Sequence, residues 1–329
     1  MKKFGMWGPS IPVDTNKGVQ GESRQGATPD RVTMLNNSER IGYSKQLPDN
    51  EIELKERNIL PPTIKISYGI GHVLLGFFLL IVMSFVTAIG FVFWELRGNL
   101  TDAANDPELI TQALEKVTTN PALVAVSALT MYLAWMIAVK VAANRAFKSI
   151  RRTFRIYFKK RDWLIGLGLA VVMRIVEGIA QMPFADVFEN EASNATNAVS
   201  YTGIWYVINA ILIAAILAPL FEEIFFRGLF LSAMQRKFVN WRKRRHGKVD
   251  WVYKSRYVVS ILVTSVVFGF MHYPGGSFAL NTITIVETGL IGALLAWMTI
   301  RTKRLGPAIT THMFFNLTGV ILATMALGS

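Results

Sequence analysis

The chain has 329 residues, 52% of them hydrophobic, a mean hydropathy of +0.35 and a formal net charge of +13. Such a balance excludes an ordinary soluble domain, because the apolar residues gather in blocks long enough to cross a hydrocarbon core of roughly 30 Å, which takes about 20 helical residues. The absence of cysteine from the sequence excludes disulfides, thiol catalysis and Cys-ligated metals.

In chain order, residues 1–62 are polar, with mixed charge, many Gly, Asn, Ser and Pro, and no sustained apolar period. They read as a disordered cytoplasmic tail, with 46–58 suited to a short surface helix. The length of this polar stretch argues against a cleavable leader. Seven apolar blocks follow, at 70–93, 121–143, 163–182, 204–234, 257–272, 278–300 and 305–327, the fifth marginal in length. The expected fold is therefore all-α, a polytopic transmembrane helical bundle behind a polar tail. Residues 63–160 form its first two membrane helices and a basic loop, with few chemical groups, and 161–329 form its core.

The charge is placed where a membrane protein needs it. Basic residues crowd the connection between blocks two and three (Arg145, Lys148, Arg151, Arg152, Arg155, Lys159, Lys160, Arg161). They recur between four and five (Arg236 to Arg256) and between six and seven (Arg301, Lys303, Arg304). The alternate connections are acidic or neutral: Asp102, Asp106, Glu108 and Glu115, then Asp186, Glu189 and Glu191, then 273–277. This is the positive-inside pattern, with the N-terminus inside and the C-terminus outside. The partners it implies are a lipid bilayer and its anionic headgroups, not nucleic acid.

Four polar positions interrupt the later blocks. Glu222-Glu223 with Arg227 lie in APLFEEIFFRGLF, His272 ends VVFGFMH, and His312 with Asn316 lie in AITTHMFFNLTG. A charge at membrane depth costs about 2.5–3.5 kcal/mol on insertion scales. Such groups persist where they pair, line a wet cavity or do chemistry. Adjacent glutamates on a helix point about 100° apart, so they serve different surfaces. Glu223 and Arg227 are spaced four apart, the favourable order for an ion pair, which gives them the supporting role and leaves Glu222 for chemistry. Read alone, His312 and Asn316 also suit interhelical hydrogen bonds, and a lone histidine near a helix end such as His272 suits an interfacial site.

Depth separates these readings. Glu222 lies 14 residues from Arg236 and His272 lies 16 from Arg256, roughly 21 and 24 Å along a helix. His312 and Asn316 lie 8 and 12 residues from Arg304, roughly 12 and 18 Å. Carboxylate, imidazoles and amide thus fall in one slab, the set needed to activate water and hold an oxyanion. Arg174 and Glu177 pair at i,i+3, and with Glu287 they are expected to be structural or to line the same cavity.

Glu222-Glu223-Ile-Phe-Phe-Arg227, Phe268-Gly-Phe-Met-His272 and His312-Met-Phe-Phe-Asn316 resemble, in order, the EExxxR, FxxxH and HxxxN motifs of the CPBP family of CAAX proteases and bacteriocin-processing enzymes, also called Abi. The resemblance covers about 160–328. It implies an intramembrane endopeptidase cleaving a peptide or protein substrate at the membrane, of glutamate type, as in the Ras-converting CAAX protease. Glu222, helped by His272, would activate water, and His312 and Asn316 would hold the oxyanion. Glu222, His272 and His312 also make a two-His, one-carboxylate set for zinc; without an HExxH motif the metal-free reading is preferred and no cofactor is expected. Seven crossings are read where the best-described members have eight. The competing class is a bacteriocin self-immunity or other non-catalytic membrane protein with structural charges; the paired broken helices of a transporter are not seen. A bacterial plasma membrane is the expected location.

Overall fold

A computed structural model describes residues 67–98, 100–103, 105–190, 200–244 and 250–327, and the tail read over 1–62, with its helix at 46–58, lies outside the described residues. Every regular element among them is helical. The principal ones are α1 (Ile70–Leu96), α2 (Pro107–Thr119), α3 (Pro121–Asn144) and α4 (Lys160–Gln181). After these come α5 (a continuous run over 203–244), α6 (Asp250–Phe270), α7 (Phe278–Thr302) and α8 (Gly306–Leu327).

Six of these runs are long and apolar enough to cross a membrane, and the apolar part of α6, Ser255–Phe270, is shorter. Together they account for the seven blocks in the sequence, and the protein is an integral membrane protein. The elements begin where the local chemistry dictates. Pro107 follows the N-cap Asp106, whose carboxylate accepts from Glu108 N at 3.0 Å, and Pro121 follows Asn120, which accepts from Ala122 N at 2.9 Å. Ser277 caps α7 by accepting from Leu280 N at 3.1 Å.

α5 is the hub, touching α1, α3, α6, α7 and α8. Two stretches of it, Val207–Leu217 and Glu223–Phe230, are wound as π-helix, the wider winding that recurs at functional sites. All eight residues of Glu223–Phe230 are buried. Their aromatic rings anchor the hub: Phe225 stacks on Trp135 of α3 at 4.9 Å, and Phe226 meets Phe268 of α6 edge-on at 5.0 Å. Gly76 admits this packing, since a Cβ there would overlap the Phe225 ring. By contrast, Leu74, Phe78, Ile81, Phe85 and Ile89 of α1 form an exposed stripe at helical spacing, the face turned to lipid.

The connection from α3 to α4 and the one from α7 to α8 meet at one end of the bundle. Leu305 N donates to Arg155 O at 3.1 Å, and Arg304 Nη1 donates to Tyr157 O at 3.3 Å. Arg304, counted among the loop bases by sequence, is buried against Asp162: Nη2 donates to Oδ1 at 2.7 Å and Nη1 to Oδ2. Gly306 keeps the corner tight, because a Cβ would overlap the Tyr157 carbonyl. Thr310 Oγ1 then donates to Asp162 O at 3.0 Å, locking the start of α8 to the start of α4.

Candidate active site

The EExxxR segment crosses the centre of the bundle on α5. Glu223 Oε1 lies 3.0 Å from Arg227 Nη1, so the i,i+4 pair read from spacing forms. The same Glu223 oxygen lies 3.0 Å from His312 Nδ1 of α8. Arg227 Nη2 donates to Gly292 O of α7 at 3.1 Å, and the guanidinium sits 4.1 Å above the Phe268 ring. Gly292 is needed for this approach, since its Cβ would stand 3.1 Å from Arg227 Nη2 and 3.0 Å from Phe268 Cδ1. Glu223 is therefore more than half of an ion pair: it also fixes the His312 ring.

Glu222 turns the other way. Its Oε2 lies 3.7 Å from His272 Nε2 and 3.8 Å from His312 Nε2. That oxygen is buried without a hydrogen-bond partner among the described residues. α6 ends at Phe270, so His272 sits in the following turn and not on the helix as its spacing suggested. Its Nδ1 still reaches back to Phe268 O at 2.8 Å. A carbonyl can only accept, so that nitrogen carries a hydrogen, and Nε2 is the ring nitrogen that faces Glu222. Phe268 is fully buried and serves as a wedge, its ring 4.5 Å from His272 and 5.8 Å from His312.

Asn316 is one turn beyond His312 on α8. Its Nδ2 donates to Ala214 O, in the first π-wound stretch of α5, at 2.9 Å. Glu222, His272 and His312 thus converge on one oxygen, while Asn316 is turned to the α5 backbone.

A tetrahedral zinc with bonds of about 2.0–2.2 Å sets its ligand atoms about 3.3–3.6 Å apart, slightly closer than the 3.7 and 3.8 Å found around Glu222 Oε2. Among the described residues no group of three or more His, Asp or Glu meets metal-holding geometry.

The remaining charges form a separate cluster. Arg174 Nη1 pairs with Glu177 Oε2, while Gln181 Nε2 donates to Glu287 Oε2 at 2.8 Å, joining α4 to α7. Sequence reading also passed over Tyr132 of α3. It is buried and stacks at 5.3 Å on Phe221, the residue before Glu222. A tyrosine within an apolar block carries no pattern that would single it out; only the packing of α3 on α5 does.

A membrane-spanning helical bundle with a buried glutamate facing two imidazoles defines the class. Residues 204–318 match the family model described as type II CAAX prenyl endopeptidase, Rce1-like. The match runs from the start of α5 into α8 and includes all three motifs, so this part of the chain is similar to that family. No curated protein and no solved structure matches the chain.

Proposed function

We propose that this protein is an intramembrane endopeptidase of the CAAX-protease type, with its catalytic core in 161–329, acting on a peptide or protein tail at the membrane. The observation that carries the reading is the unpartnered Glu222 Oε2 with an imidazole Nε2 on either side, at 3.7 and 3.8 Å. Glu222 Oε2 and His272 Nε2 are both acceptors, too far apart to bond directly and well spaced for one water donating to each. Such a water is oriented and polarised for attack on a scissile carbonyl. Its proton passes to Glu222, which returns it to the leaving amine.

The oxyanion falls to His312 and Asn316. In this role His312 is oriented through Nδ1 by Glu223 and turns Nε2 to the site beside Glu222. Asn316 has a second amide hydrogen besides the one spent on Ala214 O. Preorganised donors of this kind are worth about 10²–10³ in kcat each. The reaction needs no metal in this reading.

Orientation follows from the loops. The basic α3–α4 and α7–α8 connections share one end of the bundle, which supports an inner end there, an N-terminus inside and a C-terminus outside. A bacterial plasma membrane is the proposed location.

The test is cleavage of a quenched fluorescent peptide library by detergent-purified protein, beside Glu222→Gln and with a chelator. Loss in the variant with retention under chelator supports the metal-free glutamate mechanism. Loss under chelator, restored by zinc, would move Glu222, His272 and His312 to a ligand role. A Glu222→Gln protein that cleaves like wild type removes Glu222 from catalysis and favours structural charges.

A further inference from the structure

Resting on that reading, we infer that Arg174 of α4 is a positioning residue of the site, fixing the setting of α8 at which Asn316 meets α5. Arg174 does not end in a side-chain pair alone. Its Nη1 holds Glu177, one turn along α4, while its Nη2 donates to the backbone carbonyl of Phe315 at 2.6 Å. The guanidinium also lies 3.7 Å over the Phe315 ring. The contact therefore grips α8 at both backbone and side chain, at the residue immediately before Asn316.

That carbonyl is unusually engaged. Besides its place in the helical ladder of α8, it accepts from Arg174, and Thr318 Oγ1 lies 2.9 Å from both this carbonyl and that of Phe314, sharing its one hydrogen between them. Added donors draw a carbonyl outward from the helix axis and loosen its ladder bond. The next residue reaches the opposite way, with Asn316 Nδ2 on Ala214 O of α5. Consecutive residues thus tie α8 to α4 on one side and to α5 on the other, and the azimuth of α8 is set by the balance between them.

Two features mark the grip as built. Gly319, one turn past Phe315, leaves the space the guanidinium fills: a Cβ there would stand 2.7 Å from Arg174 Nη2. Arg174 also lies 14 residues from Lys160, the first residue of α4, roughly 21 Å into the bundle, where a charge persists only for a purpose. The other charged groups around it are Glu177 on its own helix and Glu287 from α7, itself held by Gln181. Neither carboxyl group replaces the backbone contact of the guanidinium.

The test uses Arg174→Met, which removes the grip, and Gly319→Ala, which obstructs the same contact without touching a charge. Each is made in the full-length protein in detergent and in an Asn316→Ala background. The readouts are kcat and KM for peptide cleavage and amide hydrogen exchange over residues 312–319. Both variants should lower kcat roughly 10- to 100-fold, as a misplacement of about 1 Å does, with KM little changed and faster exchange over 312–319. In the Asn316→Ala background, Arg174→Met should cost less than about twofold more, because the group it positions is gone. An undiminished loss in that background overturns the inference, as does unchanged exchange over 312–319 with full activity. Glu222→Gln is assayed alongside. If it retains cleavage, the catalytic reading fails, whereas the exchange data and the Asn316→Ala background still judge the role of Arg174.

Discussion

Two buried arginine–carboxylate pairs brace the α4–α8 bundle, one at its end and one at its centre, and they differ in how fully they are satisfied. At the end, Asp162 uses both oxygens: Oδ1 accepts from Arg304 Nη2 at 2.7 Å, and Oδ2 accepts from Arg304 Nη1 and from Lys159 N. Arg304 has Tyr157 O besides. At the centre, Glu223 and Arg227 meet through one 3.0 Å contact. Glu223 Oε2 and Glu222 Oε2 are left without a hydrogen bond among the described residues. Each buried polar group so placed costs about 1–3 kcal/mol, more when charged. A bundle selected for stability alone would close those groups off, as it does at Asp162. On the proposed reading the centre stays open for a reacting partner, whereas the end is closed for architecture.

Single substitutions should separate the two pairs in opposite directions. Glu222→Gln is the largest expected effect on activity, a fall of roughly 10³-fold or more in kcat, with an unfolding temperature equal to or above wild type because a buried charge is gone. Arg304→Met is the mirror case. It strands a buried carboxylate and should cost about 3–5 kcal/mol of stability, read as a lower unfolding temperature in detergent, with near-normal cleavage per folded molecule. If the two variants behave alike, the distinction between open and closed pairs is wrong. Glu223→Gln sharpens it from between. It weakens the tie to Arg227 and the hold on His312 together, so activity should fall about 10- to 100-fold and stability by about 1–3 kcal/mol. A change in only one of these would assign Glu223 to only one side.

The helices were legible because their blocks obey the bilayer length, and α3, α7 and α8 lie within two residues of the ranges read. The pairing of Glu223 with Arg227 was legible because i,i+4 spacing fixes proximity on one helix. What spacing could not give is anything set by one helix against another. Glu223 reaching His312 depends on how α8 packs on α5. Arg304 looked like any loop base until Asp162 was seen beside it. His272 was placed on a helix that ends two residues earlier, because a short apolar run does not announce its last turn. Arg174 and Glu287 were grouped because each interrupts an apolar block; position within a block says nothing about azimuth, and their cluster lies between α4, α7 and α8.

The smallest effect probes the reach of the open centre into α3, a helix whose sequence shows no catalytic pattern. Tyr132 is 5% exposed and its ring lies nearly parallel to Phe221, the residue before Glu222, at 5.3 Å and 25°. Tyr132→Phe keeps the ring and its stacking and removes only the O–H donor. If that donor steadies the charge at Glu222 during water attack, its loss is worth about one hydrogen bond, about 1 kcal/mol. In kcat that is roughly a fivefold fall, with KM and unfolding temperature unchanged. An unaltered kcat would confine α3 to shaping the pocket wall. A fall in unfolding temperature with kcat held would instead make the hydroxyl part of the packing, and the open centre would then end at α5, α6 and α8.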